Sequence, residues 1–291
     1  MRYLISRHVF SRRLVALFTF VAPVTSMLAQ SVLVAPNVVV LDGRTRTTAI
    51  TLVNTGSAAA EVDLSTTFGY PVSDSAGVMR LQTFTSVNDS MPSAAGFVHA
   101  YPSQFMLAPG ARRVVRLLAT PPENTRDGEY WARLVVTTRA ARVRSPDAGA
   151  ESPNASHIGL DLEIRSLLPL FYRQGAVTTG ILMDSLHTAV ERDSLSVRIP
   201  MQRRGNAAFV GSVRASLRNA SGAVLVSTSL PLGVYFDLEP RIAFSRRGLG
   251  SGEFTVEVEA ISQRPDVAPR YLLPSATVSA RAPLHLAAAR P

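Results

Sequence analysis

The residues able to do chemistry are few and scattered. Asp237 and Glu239, in "VYFDLEPR", stand two apart, which places both carboxylates on one face of a strand. Paired carboxylates can act as acid and base in glycoside cleavage. The same pair on a solvated strand face does no chemistry, and that is the reading adopted. Besides His8 near the N-terminus, the histidines are His99, His157, His187 and His285, and none has a ligand partner at helical or hairpin spacing. No metal site is therefore expected. The chain has no Cys, and all 30 of its basic residues are Arg, with no Lys. Thiol nucleophiles, lysine Schiff bases and Ser–Lys pairs are excluded on composition alone. G-x-S-x-G, Gly-rich phosphate loops and H-E-x-x-H are absent from the sequence. The expectation is a protein with no catalytic residues and no cofactor.

What remains must be positioned by the elements, and the first residues give their compartment. "MRYLISRHVFSRR" carries Arg2, Arg7, Arg12 and Arg13 and no acid, and "LVALFTFVAPVTSMLA" follows it. That is about fifteen mostly apolar residues, the length of a signal h-region and too short for a membrane span. Small residues place cleavage near Ala29, and "SRRLVALF" bears a faint likeness to a twin-arginine signal that a general secretory n-region explains better. The expectation is an exported, periplasmic protein with no membrane insertion after cleavage. Losing the leader removes four arginines and lowers the formal charge from +9 to +5. The remaining arginines are dispersed without interleaved aromatics, so nucleic acid is not an expected partner. An exported chain without disulfides relies on its apolar cores, and 46% hydrophobic residues can supply them.

The texture after the leader is short alternating runs separated by Gly, Pro, Asn and Asp. "VLVAPNVVVLDG" (32–43) reads as a strand broken near Pro36, and "TTAITLVNTGSAAAEVDLSTTFGY" (47–70) as two strands around Asn54-Thr55-Gly56. "FVHAYPSQFMLAPGARRVVRLLAT" (97–120) and "GEYWARLVVTTRA" (128–140) continue the pattern. Two segments break it: 71–96, loop-like with one short strand, and the Ser/Pro-rich stretch 141–157. Arg203-Arg204 and Arg246-Arg247 read as turn residues. The second half echoes the first: "ITLVNTGSAAAEVDL" in "VRIPMQRRGNAAFVGSVRASL", and "DGEYWARLVV" in "SGEFTVEVEA". Gly56 to Gly128 spans 72 residues and Gly205 to Gly252 spans 47, so the difference of 25 matches the loop-like segment. The expectation is all-β: two related sandwiches meeting across a cleft, joined by "RQGAVTTG" (173–180).

From Ser31 to Gly175 the chain resembles the periplasmic pilus (fimbrial) assembly chaperones of chaperone–usher systems, the PapD-like group. The matching motifs are "VAPNVVVLDG", "ITLVNTG", "YPSQFMLAPGARRVVRL", "DGEYWARLVV" and "LEIRSLLPLFYR", in that order. The resemblance implies two immunoglobulin-like β-sandwich domains in a boomerang arrangement. The boundaries that go with it are a signal peptide at 1–29, a chaperone domain at 30–174 and a second domain at 175–291. It implies binding of secreted pilus or surface β-subunits by strand donation from 158–168, with an outer-membrane usher as a further partner and no cofactor.

Ile158, Leu160, Leu162 and Ile164 fall at the donor-strand positions and alternate with Gly159, Asp161, Glu163 and Arg165. Period-two apolar side chains are what a partner's groove needs, and equally what a sandwich uses to fill its own core. Both readings stand at this point. The family holds a subunit's terminal carboxylate with an Arg on the first strand and a Lys near the end of the donor strand. Val38 and Pro169 occupy those positions here, and Arg165, Arg173 or Arg116 are the possible substitutes. The disulfide usual in chaperones with a long loop before the donor strand is also absent. The alternative reading is a structural immunoglobulin-like protein of the envelope or surface, without chaperone activity.

Overall fold

The computed structural model describes residues 32–88, 90–140 and 162–287. The leader with Ala29, the 141–157 stretch, Ile158 and Leu160 lie outside the described residues. The expected all-β architecture is found, as two immunoglobulin-like sandwiches. The first contains β1 (Val32–Ala35), β2 (Val39–Asp42), β3 (Thr47–Asn54), β4 (Ala60–Ser73) and β5 (Met79–Phe84). It continues with β6 (Val98–Tyr101), β7 (Gln104–Leu107), β8 (Arg112–Ala119), β9 (Gly128–Ala140) and β10 (Glu163–Gln174).

One sheet runs β1-β3-β8-β6; the other runs β2-β10-β9-β4-β5, with β7 also on β4. Alternation decides which side chains lie between them. Ile50 and Leu52 of β3 and Val115 and Leu117 of β8 are buried against Leu134 and Val136 of β9. The break read at Pro36 is where the chain leaves one sheet for the other, from β1 to β2. At the predicted Asn54-Thr55-Gly56 turn, the buried Asn54 amide donates to the carbonyls of Ala58 and Leu107, and its Oδ1 accepts the Gly56 N–H. Asn can mimic a backbone turn in this way, which explains its place there.

The second sandwich begins with β11 (Thr179–Met183), β12 (His187–Val190), β13 (Ser194–Arg198), β14 (Met201–Gly205) and β15 (Phe209–Asn219). It ends with β16 (Val224–Val234), β17 (Asp237–Leu238), β18 (Arg241–Ser245), β19 (Gly252–Ile261) and β20 (Val278–Leu286). Its sheets are β12-β13-β18, β11-β14-β17 and β16-β15-β19-β20. Leu195, Val197, Phe209, Leu217, Phe244 and Val258 fill its core. The repeat seen in sequence is present in topology. β9 lies between β4 and β10 as β19 lies between β15 and β20, and β3 pairs β8 as β13 pairs β18.

Three local expectations need correction. The one short strand expected within 71–96 is β5, but β4 also continues to Ser73 and pairs with it, so the front of the segment is a hairpin rather than a loop. Arg203 and Arg204 lie within β14, paired with Ile181 and Gly180, and are not turn residues. The connection between sandwiches is only 175–178, because Arg173 and Gln174 belong to β10 and Thr179 opens β11. Among the described residues, no helix is long and apolar enough to cross a membrane.

Candidate functional site: the edge of β10 and the joint beside it

β10 is paired with β9 along its whole length, from Glu163 opposite Arg139 to Gln174 opposite Gly128. On its other side β2 covers only Leu170 to Arg173, in parallel register. Among the described residues, nothing pairs with the outer edge of Glu163–Pro169. Proline lacks an N–H and belongs on such an edge, and Pro169 ends the uncovered stretch.

The faces of β10 separate along the strand. Leu168, Leu170 and Tyr172 are buried in the first core. Continuing backwards on the same parity, Ile164 is only half-buried. Leu162, which just precedes β10, is 53% exposed. The sandwich therefore uses the lower half of the apolar row itself and leaves the upper half outside. On the opposite face, Glu163 accepts hydrogen bonds from Arg139 Nε at 2.7 Å and Arg165 Nε at 2.6 Å. These two guanidiniums hold its carboxyl below the usual range, Arg139 first.

Below this edge lies a joint with the second sandwich. Val38, Phe68, Trp131 and Phe171 of the first sandwich pack with Ala208, Tyr235 and Val267 beyond it. Trp131 meets Tyr235 and Phe236 edge-on, with ring centroids 4.9 and 5.2 Å apart. β9 can serve both this joint and the first core because strand side chains alternate: Trp131 and Arg133 point one way, Ala132 and Leu134 the other. At the start of β9, Tyr130 Oη donates to the carbonyl of Arg126, closing the corner of the sandwich.

Three charged residues organise the joint, and sequence reasoning assigned none of them a role there. Glu129 is 1% exposed. Its carboxylate accepts Trp131 Nε1–H at 3.0 Å, Arg173 Nε at 2.8 Å and the Ala208 backbone N–H at 3.0 Å. Arg133, also buried, donates to the carbonyl of Gly69 and to Tyr235 Oη, with its guanidinium over the Tyr235 ring. Arg203 lies over the rings of Trp131 and Phe236 and donates to the carbonyls of Tyr235 and Gly205. Burial lowers its pKa, and the Glu129 charge partly opposes this. One sequence signal was available: an Arg inside the apolar run "YWARLVV" needs a buried partner.

The residues named for anchoring a carboxylate are dispersed. Val38 is buried in the joint, and Pro169 lies opposite Arg133. Arg173 is committed to Glu129 and to the carbonyl of Tyr271. Arg165 is exposed and paired with Glu163, and Arg116 is exposed on β8 in the other sheet. An open cleft of about 1090 Å³ borders the joint, with Met91, Phe97, Trp131, Arg203, Asn206 and Phe236 in its walls. Of the carboxylates considered for catalysis, Glu239 is occupied by Arg198 and His187, and Asp237 is exposed. His285 faces Glu253 elsewhere.

No protein-family model and no curated protein matches the sequence. Among solved structures, the chain is similar to the YadV chaperone, at 14% identity and TM-score 0.42 over 87% of this chain and 99% of that one. It is similar to the E. coli chaperone DraB at 14% identity and TM-score 0.37, over 79% of this chain and 91% of that one. A third likeness is to the CsuC–CsuE chaperone–tip adhesion subunit pre-assembly complex, from archaic chaperone-usher Csu pili of Acinetobacter baumannii. There the identity is 15% and the TM-score 0.35, over 74% of this chain and 89% of that one.

Proposed function

We propose that this protein is a periplasmic chaperone-like binding protein that lends the upper part of β10 to secreted pilus or surface subunits. The observation that supports this reading is the edge of Glu163–Pro169, unpaired among the described residues, with Leu162 exposed and Ile164 half-buried beside it. Subunits that lack a strand expose backbone donors and acceptors together with an apolar groove, and would otherwise aggregate. A lent strand satisfies both needs, through main-chain hydrogen bonds and alternate apolar side chains. In sequence, Leu160 and Ile158 continue the row that Ile164 and Leu162 begin. The exchange needs no cofactor, nucleotide or catalytic residue, and an outer-membrane usher would be the acceptor of the loaded complex.

The binding step differs from that of the proteins the motifs resemble. With Val38 and Pro169 at the two anchoring positions, the protein holds its subunit by the strand rather than by a clamped terminal carboxylate. The test is co-expression with candidate subunits from the same locus. Leu162→Arg and Ile164→Arg should leave the protein folded and reduce subunit recovery at least about tenfold, since each buried apolar side chain contributes about 1.5–3 kcal/mol. Folding and recovery both unchanged would remove strand donation. A structural immunoglobulin-like protein would instead show no subunit capture before or after substitution.

A further inference from the structure

β4 pairs with β9 only from Ala60 to Thr67. From Phe68 to Ser73 it pairs with β5 alone, so this hairpin leaves the sheet. Its rings cover the joint: Tyr70 stacks on Phe84 at 5.3 Å and meets Phe236 edge-on at 5.0 Å. Its tip reaches the second sandwich. The Gly77 carbonyl accepts the Arg241 N–H at 2.9 Å, and Ser73 Oγ accepts the Glu239 N–H at 2.8 Å. Arg198 Nη1 donates to the Ser75 carbonyl at 3.2 Å, and Met79 packs against the second core.

The turn is shaped for this approach. Asp74 Oδ1 accepts the N–H groups of Ala76 and Val78, so the tip keeps its form without outside help. Gly77 has φ +78°, and a Cβ placed there would lie 2.7 Å from Arg241 Cβ. Only glycine combines that backbone with that closeness.

We infer that the β4–β5 hairpin is a strap that fixes the angle between the two sandwiches. The covalent connection at 175–178, together with the joint core of Trp131, Phe171, Ala208 and Tyr235 and the Glu129–Arg173 pair beside it, is one attachment. A body held at one place can swing about it, and a short linker alone leaves relative motion as the default. The strap is a second attachment, on β17–β18 and not on the β14–β15 side where the linker enters. Two separate attachments remove the swing. The inference is independent of whether β10 is lent.

The absence of Cys makes the test direct. Spin labels on Arg116→Cys and Thr228→Cys, both exposed positions in different sandwiches, report the distance between them. The otherwise unaltered protein should give one narrow distance distribution. Gly77→Val, which blocks docking of the tip, should at least double its width while circular dichroism shows both sandwiches folded. A folded Gly77→Val protein with the parent's narrow distribution overturns the strap. Should Gly77→Val not fold, Ser73→Ala combined with Arg198→Ala decides. It removes two tip contacts without steric conflict; broadening supports the strap, and unchanged width overturns it.

Discussion

Glu129 shows what a single carboxylate does in this protein. Its oxygens are out of water and satisfy donors from three places: Trp131 on its own strand, Arg173 on β10 and the Ala208 backbone in the second sandwich. A buried pair of this kind is weak evidence for net stability, but removing one partner leaves the other charge buried and unpaired. Glu129→Ala should therefore cost about 3–5 kcal/mol in chemical denaturation. Glu129→Gln keeps one acceptor and should cost less. Trp131, the only tryptophan, reports the event through its own fluorescence, because its indole N–H donates to this carboxylate. Unfolding midpoints equal to the parent for both variants would remove Glu129 as the organiser of the joint. None of this was legible from spacing: Glu129 sits in "GEY", a common motif, and its partners come from 44 and 79 residues away in the chain. Arg203 was misread for the same reason. Arg-Arg-Gly has the composition of a turn, and only tertiary packing lays its guanidinium over Trp131 and Phe236.

At the scale of elements, β10 divides into a part that the sandwich keeps and a part that it leaves uncovered. Leu170 is fully buried with β2 covering its edge, whereas Ile164 is half-buried beside an open one. Leu170→Ala should destabilise the protein by about 2–5 kcal/mol, the range for a cavity in a core. Ile164→Ala should stay below about 1 kcal/mol, as for substitutions away from a packed core. Urea denaturation of the two variants checks the division; equal losses would mean that Ile164 belongs to the core as fully as Leu170. The alternation was plain in the sequence, and so was the sandwich it implied. One mark of the dividing point was available, because Ser166 interrupts the apolar row between Ile164 and Leu168; that β2 covers the edge only from Leu170 on was not legible, since it depends on long-range register. The turns were legible where a residue makes its turn locally, as Asn54 does. The β4–β5 hairpin was not, because its Ser, Asp and Gly residues serve both a loop and a docked tip.

Across the whole molecule, charge couples stability to pH through arginine. Glu257 is held below the usual carboxylate range by hydrogen bonds from Arg281 and Arg218, and Glu191 chiefly by Arg241. A carboxylate whose folded pKa is depressed stabilises the fold fully above its unfolded value, ordinarily 4.5 for Glu. That stability is lost as pH falls through the lower, folded value. Thermal midpoints should therefore be flat near neutral pH and fall progressively below about pH 4.5. A midpoint that rises on acidification would contradict this. Because arginine stays charged throughout, these pairs lose their attraction only as the carboxylates take up protons.

Strand donation depends on the open edge of β10, and one titration addresses it directly. Purified protein is titrated with a subunit from its own locus, alongside the Leu162→Arg/Ile164→Arg double variant, with the melting profile of each recorded. The prediction is a saturable complex for the parent and affinity at least about a hundredfold weaker for the variant, at an unchanged melting profile. A variant that melts like the parent and binds as tightly would show that the strand is not what the protein lends.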